Sequence, residues 1–143
     1  MQQHEPPLTV LLVEDDDDHA LLIRRCLAEL PTKLKVERSI DADSTLQLLH
    51  AARARGPQCL PDLVLLDLGL PDRSGLEVLA DIKADEATRH VPVIVLSTSE
   101  EKSDVTRAYQ HHANSFLVKR GDLYGLREML RTMGQYWTIC NRS

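Results

Sequence analysis

Leu63-Val64-Leu65-Leu66-Asp67-Leu68-Gly69-Leu70-Pro71 is an apolar run interrupted by one carboxylate and closed by a turn. Four apolar side chains in succession, with no polar residue alternating between them, read as a strand buried on both faces. That is the pattern of a central strand in a parallel sheet. Asp67 then falls at the carboxyl edge of the sheet, where open α/β folds bind their ligands. An aspartate in that place has two readings: it caps the strand or the next helix, or it carries chemistry. What else the chain delivers to the same edge decides between them.

Outward from this strand, short apolar runs alternate with helical patterns. Leu8 to Val13 reads as a first buried strand, and after Glu14-Asp15-Asp16-Asp17-Asp18 the residues Ala20, Leu21, Ile23, Leu27 and Leu30 recur near helical spacing until Pro31. Leu34 to Ile40 is expected as a second strand and Ala42 to Arg55 as a second helix, stopped by Gly56-Pro57. After the strand ending at Asp67 come a helix over Gly75 to Ala84, a fourth strand over Val91 to Leu96, and a short helix over 103–111. A fifth strand over Ser115 to Val118 and a last helix from Leu123 to about Gln135 complete the series. Five strand-helix units require right-handed crossovers between parallel neighbours. The expected fold is therefore α/β, with a five-stranded parallel sheet in the order 2-1-3-4-5 and helices on both faces, as in flavodoxin.

Composition restricts the function classes. The 143 residues suffice for one domain: we expect a flexible segment over 1–7, the folded domain over 8–135 and a tail over 136–143. A net charge of −5 with no basic stripe argues against nucleic acid as a partner. Cys26, Cys59 and Cys140 fall in no metal or redox spacing. The N-terminus has no signal-peptide pattern and no apolar run approaches membrane length, so the expected compartment is the cytoplasm, away from the membrane.

In the order 2-1-3-4-5 the first and third strands are neighbours, so Glu14, Asp15 and Asp67 meet at the switch point. Three carboxylates in one crevice repel one another unless a cation is present, and oxygen-only ligands select Mg²⁺ or Mn²⁺. Ser97, ending the fourth strand, and Lys119, ending the fifth, bring a hydroxyl and an ammonium to the same edge. A carboxylate nucleophile beside a divalent cation, with a lysine and a hydroxyl for the phosphate oxygens, is equipment for phosphoryl transfer onto aspartate. Asp67 takes the place of nucleophile.

At these residues the chain resembles the receiver domain of two-component response regulators, the CheY-like family, over roughly residues 8–135. The motifs are Glu14-Asp15 after a strand, Leu65-Leu66-Asp67 followed by Leu70-Pro71 and Gly75, Val95-Leu96-Ser97, and Val118-Lys119. The intervals from Asp67 to Ser97 and from Ser97 to Lys119 also agree with that family. The resemblance implies that Asp67 accepts the phosphoryl group and that Asp15, Asp67 and the backbone carbonyl of Gly69 bind Mg²⁺, with Glu14 holding the metal's waters. It further implies that Ser97 and Lys119 contact the phosphoryl oxygens, and that Ser97 and Phe116 form the switch. The implied role is a signalling switch, with only self-catalysed phosphorylation and dephosphorylation, fed by a sensor histidine kinase. The stretch Arg53 to Pro61, the Lys83-Ala84-Asp85 ending, Ala108-Tyr109 with Ala113-Asn114, and Tyr136-Trp137 are similar to regulators paired with bacterial phytochromes.

Two positions depart from the family pattern. Arg120 stands where proline usually follows the lysine, and a cis bond before a non-proline residue costs about 2.5 to 4 kcal/mol, so a trans or strained turn is expected. Thr98 stands where Ala or Gly is usual, and its branched side chain would narrow access to the phosphoryl group.

Other residues have plainer readings. Asp16, Asp17 and Asp18 suit a helix N-terminus, where acids oppose the macrodipole. A calcium loop counted from Asp15 fails, with Ala20 at its glycine position and Cys26 at its twelfth. His111-His112 are adjacent and cannot share a metal from one helix face. Phe116 has a core role as its alternative. Rival functions are a degenerate receiver acting as a binding scaffold, and a phosphatase of the haloacid-dehalogenase type. The latter needs a second acid two residues after the nucleophile, where this chain has Gly69. Few residues follow Gln135, so signalling by protein contact is expected. Tyr136, Trp137 and Ile139 extend the apolar surface beyond the last helix, which suits a homodimer on the face of the fourth and fifth units or a tail folded back on its own domain.

Overall fold

The computed structural model describes residues 8–30, 33–97, 102–113 and 115–118, together with Glu128, Arg131 and Thr132. Apart from those three residues, the expected last helix lies outside the described residues, as do segment 1–7 and the tail 136–143. In chain order the elements are β1 (Leu8–Val13), α1 (Asp17–Ala28), β2 (Leu34–Ser39), α2 (Ala42–Arg55), β3 (Leu63–Asp67), α3 (Gly75–Ala84), β4 (Val93–Ser97), α4 (Lys102–Gln110) and β5 (Ser115–Val118). The five strands form one sheet in the order β2-β1-β3-β4-β5, and every pairing is parallel. This is the expected α/β topology.

Strand alternation divides the core between the two faces of the sheet. Val10 and Leu12 of β1, Leu63 and Leu65 of β3, and Ile94 and Leu96 of β4 pack with Ala20, Ile23 and Leu27 of α1. The intervening Leu11, Val13, Val64, Leu66, Val93 and Val95 pack with side chains of α2 and α3. Both faces of β1, β3 and β4 are covered, so their sequences read as continuous apolar runs with no polar alternation. Leu21 does not join the α1 core stripe: it is 48% exposed, because at 100° per residue it turns away from the face that carries Ala20, Ile23 and Leu27.

Two strands differ in their limits from the sequence reading. β2 stops at Ser39 and leaves Ile40 exposed. β4 begins at Val93 rather than Val91 and includes Ser97. Pro92 offers no N–H to a ladder, and although its carbonyl accepts from Val64, Val91 is already engaged in a turn with Thr88. Gly56, at φ 124°, ends α2 where Gly-Pro was expected to end it, and a 3₁₀ turn over Pro57–Cys59 follows.

The turn from α4 to β5 carries a backbone constraint. His112 has φ 69°, its N–H donates to the Tyr109 carbonyl, and the Ala113 N–H donates to the Ala108 carbonyl, both at 3.0 Å. This pair of bonds closes the helix in a left-handed cap that favours glycine. His112→Gly is therefore expected to stabilise the fold by about 0.5 to 1 kcal/mol in urea denaturation, with the slope unchanged.

Candidate functional site

The β1 to β3 register pairs Val13 with Leu66, so Glu14 and Asp67 leave the sheet side by side. One carboxylate oxygen from each of Glu14, Asp15 and Asp67 lies within 4.8 Å of the others. Glu14 is buried at 1% exposure, Asp67 is half-buried and Asp15 is exposed. At that separation two ionised carboxylates repel by about 3 to 4 kcal/mol at an effective dielectric constant of about 20, and by less where solvent screens Asp15. Divalent charge reverses the sign, and the all-oxygen donor set suits a hard cation. These residues fit the metal that the sequence reading expects.

The surroundings hold the acids in place through the backbone. Glu14 donates its N–H to the Ser39 carbonyl at 3.0 Å and accepts from Arg38 Nε on its own carbonyl at 2.9 Å. Its carboxylate accepts from the Asp16 N–H at 3.4 Å, and His19 Nδ1 stands 3.9 Å away. Asp16 caps α1 by accepting from the N–H groups of Asp18 and His19, and Asp17 pairs with Arg38 at 2.9 Å. The three aspartates after Asp15 thus do the helix-end work expected of them.

The segment from Leu68 to Ser74 closes tightly against Asp67. The Gly75 N–H donates to the Leu68 carbonyl at 3.0 Å, and Ser74 caps α3 through the Leu76 N–H. A Cβ on Gly75 would collide with the backbone carbonyl of Asp67 and approach the Leu68 Cα to 2.8 Å. Glycine is needed there because α3 starts in contact with the strand end that carries the central aspartate. Gly69 differs: a Cβ there would meet Asp67 Oδ2 at an ordinary 3.7 Å, which places the Gly69 backbone beside the carboxylate. Asp72 ties the same segment to α2, accepting from the N–H groups of Ala42 at 2.9 Å and Asp43 at 3.0 Å. The Ala42 bond is the main reason the Asp72 carboxyl is held below its ordinary pKa, with the Asp43, Asp72 and Arg73 N–H groups adding to it against some desolvation.

Ser97 ends β4, buried, one position beyond Leu96, the register partner of Asp67. The structure therefore brings Glu14, Asp15, Asp67 and Ser97 to one sheet edge. The backbone of Phe116 lies in β5 opposite Val95. Lys119, Thr98, Arg120 and the Phe116 side chain lie outside the described residues. Sequence reasoning missed Arg38 and Asp72. Asp72 bonds a helix end 30 residues away in sequence, for which no local pattern exists. A cation at the end of β2, next to the expected switch point, was the signal available for Arg38.

Comparison with known proteins agrees with this geometry. The family model described as the response regulator receiver domain matches residues 10–131. The probable methanogenesis regulatory protein FilR2 of Methanothrix harundinacea is 40% identical over 139 residues, which is 97% of this chain and 89% of that protein. Response regulator Rcp1 of Synechocystis is 32% identical over 135 residues, 94% of this chain and 92% of that protein. The crystal structure of its Mn²⁺-bound form matches with a TM-score of 0.82 over 92% of this chain and 94% of that one. The structure of the phosphorylated cyanobacterial phytochrome response regulator RcpA matches with a TM-score of 0.83 at 31% identity, over 93% and 95% of the two chains.

The two glycines beside Asp67 are expected to behave oppositely. Gly75→Ala should destabilise by about 1 to 3 kcal/mol, since the clash is with backbone, while Gly69→Ala should stay within about 0.5 kcal/mol of the parent in denaturant titration. Asp72 should contribute to the acid limb of stability. Its folded pKa lies below that of an unfolded aspartate, about 3.9, so its contribution is fully present above that value and lost as pH falls through the lower folded one. Asp72→Asn is expected to lower the melting temperature at neutral pH and to converge on the parent in acid; parallel curves at every pH would contradict this.

Proposed function

The chain belongs to the response regulator receiver family, and from that membership we propose that it is a phosphoacceptor switch charged on Asp67 by a histidine kinase. The observation that carries this reading is the convergence of three carboxylates, one of them buried, at the carboxyl edge where β1 and β3 are neighbours. Asp15, Asp67 and the Gly69 carbonyl would hold Mg²⁺ or Mn²⁺, with Glu14 behind them. A bound divalent ion supplies charge neutralisation at the phosphoryl oxygens.

In the transfer, an Asp67 carboxylate oxygen forms a P–O bond as the P–N bond of the donor phosphohistidine breaks, and the leaving imidazole takes up a proton. The half-buried Asp67 has its Oδ2 beside the Gly69 backbone. The Ser97 hydroxyl and the Lys119 ammonium take the remaining phosphoryl oxygens in this reading, and Ser97 with Phe116 transmits the change toward β5. Similarity to Rcp1 and RcpA supports a phytochrome-type kinase as donor. Output by protein contact, with a homodimer on the α4 to β5 face, is part of the same proposal. The half-exposed Tyr109 on α4 supports that face, and the same reading sets the chain in the cytoplasm with its kinase.

Incubation with a small-molecule phosphodonor such as acetyl phosphate and Mg²⁺, read by intact mass, tests the proposal. The expected result is one base- and hydroxylamine-labile phosphoryl group on the parent and none on Asp67→Asn or in the presence of a chelator. A parent that gains no mass is a scaffold, and one that hydrolyses phosphate esters with turnover is a phosphatase; either result overturns the proposal.

A further inference from the structure

The corner between β2 and α2, residues 38–43, contributes no ligand to the acidic cluster, yet it bonds both segments that do. On one side Arg38 Nε donates to the Glu14 carbonyl, its Nη1 pairs with Asp17, and the Ser39 carbonyl accepts from the Glu14 N–H. These contacts fix the turn carrying Glu14 and Asp15 at its start and just beyond it. On the other side the N–H groups of Ala42 and Asp43 are accepted by Asp72, halfway along the segment that begins at Asp67 and includes Gly69. Arg38 Nη2 is buried without a hydrogen-bond partner, so the guanidinium is held by what its other nitrogens bind rather than by full satisfaction. The corner is thus a brace set across the two arms of the cluster.

We infer that Arg38 and Asp72 are positioning residues for the metal site, holding the Glu14–Asp15 turn and the Asp67–Gly69 segment at the separation a divalent cation requires. The inference rests on the metal site proposed above. Neither residue is a ligand in it. Carboxylates aligned within a few tenths of an ångström bind a small cation far better than the same groups free to splay apart, so loosening either arm lowers affinity even when the fold survives.

The opposite charges of the two residues make the test decisive. If they acted on a cation only through long-range charge, removing the Arg38 cation would tighten Mg²⁺ binding and removing the Asp72 anion would weaken it. If they position the arms, both changes weaken it. Isothermal titration of the full chain with MgCl₂ in 0.3 M KCl, where long-range charge is screened, should show affinity falling about threefold to tenfold for both Arg38→Gln and Asp72→Asn. Asp85→Asn is the stability control. It removes the charge from the 2.7 Å pair with Arg53 and leaves a single oxygen where Arg53 and the Ala87 N–H each had one, loosening α2 against α3 away from the cluster. It should lower the melting temperature and leave Mg²⁺ affinity unchanged. Should Arg38→Gln fold poorly, Arg38→Lys, which keeps the charge but not the forked donor, should still lose affinity. Tighter or unchanged binding by the Arg38 variant, unchanged binding by Asp72→Asn, or an equal loss in Asp85→Asn overturns the inference. A parent chain that binds no Mg²⁺ instead overturns the metal site on which it rests.

Discussion

Mutual repulsion among Glu14, Asp15 and Asp67 is the constraint around which this molecule is arranged. Like charge opposes the approach of the three acids, and one of them is taken almost wholly out of water. The favourable term comes from elsewhere: the apolar runs of β1 and β3, covered on both faces, set a register that delivers the acids to adjacent positions whatever their charge. Core burial in such strands is worth about 25 cal/mol per Å² of apolar surface, so a few fully buried leucines outweigh one poorly screened carboxylate pair. The resulting tension lies where a divalent cation can relieve it.

Backbone contacts keep that tension from relaxing. Gly75 lets α3 begin against the carbonyl of Asp67, which leaves the strand end little room to retreat. The α1 cap at Asp16 and the Asp17 to Arg38 pair stop the β1 end from unwinding into solvent. On the far side of the sheet edge, the Lys83 ammonium is half-buried and donates to the carbonyls of Arg89 and Val91, with its pKa lowered by burial. That contact secures the return from α3 into β4, and so the level at which Ser97 arrives.

Much of this was legible in the residues. Continuous apolar runs ending in acids, separated by helical spacing and Gly-Pro stops, lead to the strand order and to Glu14, Asp15 and Asp67 as one cluster, because parallel topology leaves few alternatives. Periodicity is blunter within a helix, where Leu21 looks like core until its angle is compared with that of Ile23. Positions such as Pro92 shift a strand limit through a missing N–H, which an apolar count does not register. Asp72 was out of reach for a different reason: its partners are backbone groups on an element distant in sequence, and a backbone N–H has no letter of its own.

The Thr9 N–H donates to the carboxylate of Asp62, 53 residues later, and the β1 to β3 pairing spans the same distance. A chain emerging from the ribosome has β1, α1, β2 and α2 in hand while the middle of its sheet is still missing. Contacts of such separation close late, after the loop entropy between them has been met. Synthesis therefore sets an order: a nascent chain that lacks β3 holds Glu14 and Asp15 without the strand that carries Asp67, so the three-acid cluster arrives only with the completed centre of the sheet.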